Sequence, residues 1–184
     1  MQLILASQSP RRRELLSDAG IRFTVVPSLF EEKGEGLSPQ ETVLRFAEGK
    51  AEEVFHRYPE AAVLGADTVV ALDGEIFGKP HTENGAKEML RRLSGRTHSV
   101  FTGVCLIADG VKKQAVCETH VTFYELSEEF IEEYVREVRP LDKAGAYGIQ
   151  DGYSIVKSYE GSYTNVVGLP MGLVREYLKE AKIC

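Results

Sequence analysis

Three consecutive arginines, Arg11 to Arg13, follow a short apolar segment and stand at the start of a predicted helix. A helix N-terminus has unpaired N–H groups and partial positive charge, so each cation there costs roughly 0.3–1 kcal/mol. A bound anion would reverse this penalty, because the N–H groups and guanidinium groups would all face it. We therefore predict that Arg11 and Arg12 bind phosphate, whereas Arg13 is solvated. The alternative is that the arginines pair with Glu14 or Asp18.

Two lysines extend this set of candidate phosphate ligands. Lys50 lies on the apolar stripe of its predicted helix, so it requires a carboxylate or phosphate partner unless it reaches solvent at the helix edge. Lys79 lies between Gly78 and Pro80 in a loop before a helix, where a ligand-binding lysine and a solvated lysine are equally compatible with the sequence.

Candidate carboxylates occur at two places in the chain. Asp67 follows an apolar strand-like stretch, and it is able to hold a divalent cation or to accept a proton from water, although an aspartate after a strand is more often a cap or turn residue. Glu31 and Glu32 lie in the loop after the second predicted strand. Paired acids in a loop are usually solvated, and a metal site here requires an opposing carboxylate, for which Asp67 is the candidate.

The glycine-rich segment 141–152 is the last candidate, because small residues allow the backbone to approach a ligand closely. Its Gln150 offers both donors and an acceptor, which suits the edge of a nucleobase, although the segment taken by itself is better explained as a turn-rich connection. Several cations, two carboxylates for a metal and one amide together describe a nucleoside triphosphate site. The sequence contains no P-loop motif, and no G-x-G-x-x-G follows the first strand.

The elements that must position these residues alternate between strands and helices. Strands are predicted at 3–6, 23–26, 62–65, 68–72, 99–108, 112–124 and 155–159. Helices are predicted at 10–19, 39–57, 83–93, 128–138 and 170–181. Helical capping signals support the helices, and hairpin turns at Asp73-Gly74 and Asp109-Gly110 indicate a mixed sheet. We predict an α/β protein with a single domain over residues 1–184.

Composition and charge exclude several classes of protein. The net charge of -6 argues against a nucleic-acid polymer as partner, because such proteins require a broad basic surface. No apolar run approaches membrane-spanning length, and the first six residues are too short for a signal peptide. The odd number of cysteines (Cys105, Cys117 and Cys184) and their spacing fit no zinc site. We expect Cys105 and Cys117 to be buried, Cys184 to be inert, and the compartment to be reducing.

Six segments of the chain, in order, resemble the motifs of Maf proteins. They are LILASQSPRRRELL at 3–16, GADTV at 65–69, GKP at 78–80, LSGRTHSV at 93–100, DKAGAYGIQ at 142–150 and VGLP at 167–170. The resemblance covers nearly the whole chain. It implies an elongated α/β fold with flanking helices in two lobes around a cleft, similar to inosine triphosphate pyrophosphatases. It also implies a cytoplasmic, often dimeric pyrophosphatase that depends on a divalent cation, Mg²⁺ or alternatively Mn²⁺.

The resemblance also assigns roles by position. Asp67 corresponds to the proton acceptor, and Glu31 corresponds to a metal ligand beside Asp67, although its register against Glu32 stays open. The positions that hold the phosphates are Ser7, Arg11, Arg12, Lys50 and Lys79.

Specificity is implied by the positions that separate the subfamilies, which are Arg11, Thr68 and Gln150. Their identities resemble the branch that acts on dTTP and UTP rather than the branch that acts on 7-methyl-GTP. One departure is Asp151, where the family pattern has glycine. An alternative of a different class is a nucleotide-binding regulator of cell division or septation, which would need the cations but no proton acceptor.

Overall fold

A computed structural model describes residues 1–34 and 36–183 and contains one seven-stranded mixed sheet. The strands are β1 (Leu3–Leu5), β2 (Thr24–Val25), β3 (Ala62–Leu72), β4 (Glu75–Phe77), β5 (Thr97–Ala108), β6 (Val111–Phe123) and β7 (Val156–Glu160). Their order is β2-β1-β3-β5-β6-β7, and β4 pairs with β3. β1 is parallel to β2 and β3, and every other described pair is antiparallel. The predicted mixed α/β sheet with flanking helices is therefore confirmed.

Six α-helices and one short 3₁₀ helix flank the sheet in the described residues. They are α1 (Pro10–Asp18), α2 (Pro39–Arg57), α3 (Glu83–Leu93), α4 (Glu128–Val138), α5 (Tyr163–Val167), α6 (Met171–Glu180) and the 3₁₀ turn Ala144–Ala146. The side chains of Ser9, Ser38, Thr82 and Ser127 accept the N-terminal hydrogen bonds expected of caps. The sequence analysis missed α5, whose five residues are too few to show a helical apolar period.

One face of β3 carries two apolar clusters with a polar residue between them. Leu64 and Ala66 pack with residues of α1 and α6, whereas Val70 and Leu72 pack with residues of α3 and α4. Thr68 lies between these two pairs on the same face, because side chains alternate along a strand. The apolar clusters define two lobes, and the polar layer at Thr68 separates them.

The sequence predicted two separate strands at 62–65 and 68–72, and this prediction was wrong. β3 is one strand that runs through Asp67. The reason is that β5 pairs with β3 without interruption from Val63 to Ala71. On the other edge of β3, the pairing with β1 extends only as far as Leu64, and the pairing with β4 starts only at Val70. Within the described residues, Asp67 and Thr68 therefore lie in a gap on this edge that no neighbouring strand fills.

Helix α2 packs directly on the other face of the sheet, at two glycines. A Cβ atom on Gly65 would lie 2.2 Å from the carbonyl oxygen of Ala47, and a Cβ atom on Gly103 would lie 2.2 Å from that of Val43. No side chain fits between the helix and these strands. Asp67 shares the face of Gly65, so this close approach brings α2 and its Lys50 to Asp67.

The expectation that the cysteines are buried is confirmed for Cys105 and met only in part by Cys117. Cys105 is buried and Cys117 is partly buried, and both are free thiols. Burial raises the pKa of Cys105 to about 12, so its thiol is protonated at neutral pH. The prediction that Cys184 is inert lies outside the described residues. Among the helices of residues 1–34 and 36–183, none has the length and apolar character needed to cross a bilayer.

We expect Gly65→Ala to lower the free energy of unfolding by about 1–3 kcal/mol, because α2 must move to accommodate the added methyl group. The matched control is Gly172→Ala in α6, where an added Cβ atom meets nothing within 4 Å. That change should leave stability unchanged or raise it by up to about 1 kcal/mol. Urea denaturation measures both. Equal stability of Gly65→Ala and the parent would contradict the close packing.

Candidate active site

Arg12 connects the N-terminus of α1 to the polar layer between the lobes. Its side chain is buried, and it donates hydrogen bonds to the carbonyl oxygen of Gly168 (2.7 Å), to Thr68 Oγ1 (3.0 Å) and to Ser7 Oγ (3.2 Å). Burial lowers the pKa of Arg12, and the charge of Asp67 opposes this effect. Arg12 is thus a fixed, buried cation at the gap in the edge of β3.

Helix α1 has a positively charged first turn, whereas α2, α3 and α4 each have acidic residues in theirs. Ser9 caps the helix, and its own N–H group donates to Ser7 Oγ at 3.2 Å. Parallel pairing of β1 with β3 places this helix start at the carboxyl edge of the sheet, as the sequence predicted. Arg13 is exposed, also as predicted.

Lys50 joins two carboxylates next to Arg12. Its Nζ atom lies 2.7 Å from Asp67 Oδ1 and 2.6 Å from Glu32 Oε1, and its side chain is only 14% exposed. The structure therefore decides the open alternatives for Lys50, because it faces inward and meets carboxylates. Burial raises the pKa of Asp67, while Lys50 and Arg12 partly oppose the increase.

The two acids of the 27–37 loop lie in different surroundings. Glu32 contacts Lys50, whereas Glu31 forms an ion pair with Lys33 and has a 75% exposed side chain. Phe30 contributes to the position of this loop, since an added Cβ atom on Gly49 would clash with its ring. Of the two acids, Glu32 is the one that the structure brings to Asp67.

Arg11 connects the start of α1 to the glycine-rich segment of the other lobe. Its guanidinium group donates to Asp142 Oδ2 at 2.9 Å and to the carbonyl oxygen of Asp142 at 3.3 Å. Burial alone would raise the pKa of Asp142, but the hydrogen bond and charge of Arg11 lower it overall. Neither of the sequence alternatives, Glu14 and Asp18, is the partner of Arg11.

Lys79 and Gln150 are exposed, and both belong to loops that meet each other. The N–H group of Gly145 donates to the carbonyl oxygen of Gly78 at 3.2 Å, which links the Lys79 loop to the glycine-rich segment. An added Cβ atom on Gly145 would contact Val70 at 2.9 Å, so this segment lies directly on β3. Lys79 and Gln150 are therefore on two segments that contact each other and β3.

The polar layer continues beyond Thr68 into the sheet. Thr68 Oγ1 lies 2.9 Å from Thr102 Oγ1 on β5, and the buried Asn165 of α5 donates to Thr119 Oγ1 and to the carbonyl oxygen of Val100. Thr102 in turn donates to the carbonyl oxygen of Asn165. These contacts satisfy the amide nitrogen of Asn165 and attach α5 to β5 and β6. Thr68 therefore has its hydroxyl committed to protein partners.

His98 of β5 contacts the glycine-rich segment through Tyr147. Its Nε2 atom lies 2.8 Å from the hydroxyl oxygen of Tyr147, and its ring meets Phe123 edge to face. Desolvation lowers the pKa of His98 to about 4, so the ring is neutral at physiological pH. Its burial identifies His98 as a structural residue.

Several of these contacts could not be found by sequence analysis. Asp142, Asn165 and Glu32 matter through partners that lie far away in the chain, and a single sequence carries no signal of such pairs. Asp142 stood at the start of a segment already singled out for its glycines, but nothing in the segment indicated Arg11 as its partner.

Acid should destabilise the protein through His98. The folded pKa of about 4 lies below the unfolded value of 6.5. The unfolded state therefore takes up a proton first, and stability falls as pH decreases from 6.5 towards 4. One unit of pKa is worth about 1.4 kcal/mol, so the parent should lose roughly 3 kcal/mol more than His98→Gln between pH 7.5 and 4. Urea denaturation at several pH values measures this difference.

His56→Gln is the control for this prediction, because His56 is an exposed histidine near the end of α2. It should follow the pH dependence of the parent. If the parent and His98→Gln lose the same free energy of unfolding over this pH range, His98 is not held neutral by burial.

Comparison with known proteins agrees with this architecture. The solved structure of the Staphylococcus aureus Ham1 protein is similar over 98% of this chain and 99% of its own, with a TM-score of 0.52. At 15% identity this likeness shows the fold alone.

Closer relatives cover almost the whole chain. The dTTP/UTP pyrophosphatase of Bacillus velezensis is 49% identical, over 99% of this chain and 97% of its own length. The dTTP/UTP pyrophosphatase of Thermotoga maritima is 50% identical, over 98% of this chain and 89% of its own length. The family model described as Maf-like protein matches residues 2–181. The resemblance seen in the sequence is thus confirmed, and the chain belongs to the Maf family.

Proposed function

We propose that this protein hydrolyses nucleoside triphosphates to nucleoside monophosphates and pyrophosphate, with dTTP and UTP as preferred substrates. The observation that carries the proposal is the placement of Asp67, a buried carboxylate beside Lys50 and Arg12 at an unfilled gap in the sheet edge. Relatives that are about half identical over nearly their full length are named dTTP/UTP pyrophosphatases, which supports the same activity here.

The triphosphate binds at the start of α1 in this proposal. Arg12 and Ser7 line the gap, and the N–H groups of the first helical turn favour an anion there. Lys50 contributes a second cation on the α2 side. Arg11 and Lys79 belong to the rim, and each is placed to approach phosphate oxygens once a nucleotide enters. Together these cations stabilise the negative charge that moves onto the leaving pyrophosphate.

Asp67 accepts a proton from the water that attacks the α-phosphorus in line. Burial raises the pKa of Asp67, which makes the carboxylate a better proton acceptor than a solvated aspartate. The charge of Lys50 favours the ionised carboxylate and partly opposes this rise, because their polar atoms are only 2.7 Å apart. The adjacent Arg12 adds to that effect.

The carboxylates at the gap fit a divalent cation, which we propose to be Mg²⁺, with Mn²⁺ as the alternative. Mg²⁺ commonly binds through one or two protein carboxylates together with substrate phosphates. Two carboxylates, those of Asp67 and Glu32, meet at Lys50, which agrees with that pattern. Asp67 is one ligand, and its contacts favour Glu32 over Glu31 as the other. When bound, the ion neutralises phosphate charge and polarises the reacting phosphorus.

Base selection in this proposal depends on Gln150 at the far end of the glycine-rich segment. Its amide has the donors and the acceptor needed for the edge of uracil or thymine. Thr68 and Arg11 shape the path between the base and the phosphates, since both are fixed by protein contacts. A cytoplasmic location and a homodimer stay predictions from the family resemblance.

The proposal predicts that purified protein with Mg²⁺ releases pyrophosphate from dTTP and UTP, with the monophosphate as co-product. Asp67→Asn should lower kcat by a factor of roughly 10² to 10⁴, because the proton acceptor is lost, while nucleotide binding is largely kept. The control is Asp109→Asn in the β5–β6 turn, a position with positive φ that asparagine tolerates. Asp109→Asn should have the kcat of the parent.

The same measurement has outcomes that contradict the proposal. Release from 7-methyl-GTP in preference to dTTP and UTP would keep the reaction and overturn the specificity. Tight nucleotide binding without release, over several metals, would indicate a regulator instead. Full activity of Asp67→Asn would remove Asp67 from its role as proton acceptor.

The matched pair Glu31→Gln and Glu32→Gln tests the metal ligands. Loss of even an outer partner of a metal site costs about 10–100-fold in affinity, so Glu32→Gln should raise the Mg²⁺ concentration for half-maximal activity at least about tenfold. Glu31→Gln should change it less than about twofold, since the Glu31 carboxylate pairs with Lys33 and is exposed. Mg²⁺ titration of pyrophosphate release is the measurement. A larger effect of Glu31→Gln would assign the metal to Glu31.

A further inference from the structure

Gln150 lies in a tight turn whose two ends are held by one buried hydroxyl group. The N–H group of Asp151 donates to the carbonyl oxygen of Gly148 at 3.2 Å, which closes the turn 148–151. Gln150 is the exposed third residue of this turn. The side-chain position of Gln150 therefore depends on what holds Gly148 and Asp151 in place.

Tyr134 of α4 supplies that support. Its hydroxyl oxygen accepts a hydrogen bond from the N–H group of Gly148 at 3.2 Å, and its proton is donated to Asp151 Oδ2 at 2.7 Å. Tyr134 is completely buried, and burial together with the Asp151 carboxylate raises its pKa, so the hydroxyl keeps its proton. One side chain thus uses both its donor and its acceptor on the two ends of the turn.

The Asp151 side chain packs closely against the turn that its backbone closes. An added Cβ atom on Gly148 would lie 2.6 Å from a carboxylate oxygen of Asp151. Lys143, from the other end of the glycine-rich segment, brings its Nζ atom to 3.9 Å from Asp151 Oδ2, and its side chain is only 13% exposed. Asp151 is therefore packed between Gly148, Tyr134 and Lys143.

We propose that Tyr134 and Asp151 are positioning residues that set the nucleobase preference of the site by fixing the turn that presents Gln150. This inference rests on the proposed function, in which Gln150 contacts the base. It also gives Asp151 a specific role, at a position where the family pattern has glycine.

The chemistry of pyrimidines explains why the position of Gln150 matters. Uracil presents an acceptor at O4 and a donor at N3, whereas cytosine presents a donor at N4 and an acceptor at N3. A glutamine amide has both kinds of group, so rotation of the side chain is able to match it to either edge unless its position relative to the base is restricted. A fixed turn limits the reach of the amide and makes discrimination between the two bases possible.

The test compares kcat/KM for UTP and CTP in Tyr134→Phe and Asp151→Ala. Both should lower the UTP:CTP ratio about tenfold, mostly through a higher KM for UTP, while kcat for UTP changes less than about threefold. Gln150→Ala is the reference for complete loss of base contact, and the two variants should approach its ratio. Melting curves establish that every variant is folded.

Two conservative variants separate positioning from a general structural effect. Asp151→Asn keeps an oxygen that accepts from Tyr134, so it should stay within about twofold of the parent ratio. Tyr153→Phe removes a hydroxyl from a neighbouring ring, whose centroid lies 5.2 Å from the ring centroid of Tyr134. In the described part of the chain no residue hydrogen-bonds the Tyr153 hydroxyl, so this control should have the parent ratio.

Calorimetry with non-hydrolysable α,β-methylene analogues of UTP and CTP measures the base preference without turnover, as the ratio of the two affinities. If the parent releases no pyrophosphate, the proposed function fails, and the analogue ratios still decide the role of Tyr134 and Asp151. An unchanged ratio in folded Tyr134→Phe and Asp151→Ala would overturn the inference. An unchanged ratio in Gln150→Ala would also overturn it, and would leave the hydrolytic activity standing.

Discussion

The close approach of α2 to the sheet at Gly65 and Gly103 is the constraint on which the site depends. Because no side chain separates the helix backbone from these strands, Lys50 is brought to hydrogen-bond distance from Asp67. A side chain at Gly65 would push the helix away and leave Asp67 buried without its nearest cation. Arg12 alone would then oppose the burial of this carboxylate, so the pKa of Asp67 would rise further.

The second requirement is a polar layer that crosses an otherwise apolar core. Thr68 and Thr102 lie on a face whose neighbouring residues belong to two apolar clusters, and Asn165 covers them from α5. Arg12 completes the layer, since its three hydrogen bonds satisfy groups from the loop before α1, from β3 and from the turn after α5. The layer therefore joins the two lobes by directional contacts rather than by apolar packing, at the place where the edge of β3 is unpaired.

Local signals predicted the elements well, and they failed where distant residues decide the outcome. The caps at Ser38 and Ser127 and the hairpin turns were readable because a few adjacent residues determine them. The prediction that β3 breaks near Asp67 was wrong, because pairing with β5 outweighs the local presence of a carboxylate. Likewise, the open alternatives for Lys50 depended on what α2 faces, and only the fold determines that.

In the site itself, the arginine-rich start of α1 was recognisable because it reverses the charge that helices prefer. The partners of these arginines were only partly predictable. Arg12 has buried partners, whereas Arg11 pairs with Asp142, which lies 131 residues away in the chain. The roles of Ser7, Arg11, Arg12, Lys50, Lys79, Thr68, Gln150 and Asp67 as ligands of a nucleotide and metal stay predictions.

Two cations of the site are already paired with carboxylates before any nucleotide binds. Lys50 is paired with Asp67 and Glu32, and Arg11 is paired with Asp142. A triphosphate brings several more negative charges close to these carboxylates, so a cation that binds with it would reduce their repulsion of the substrate. A divalent ion held by Asp67 and Glu32 would meet this need, because it would turn that repulsion into attraction. The charge arrangement of the described residues thus supports a metal-dependent reaction.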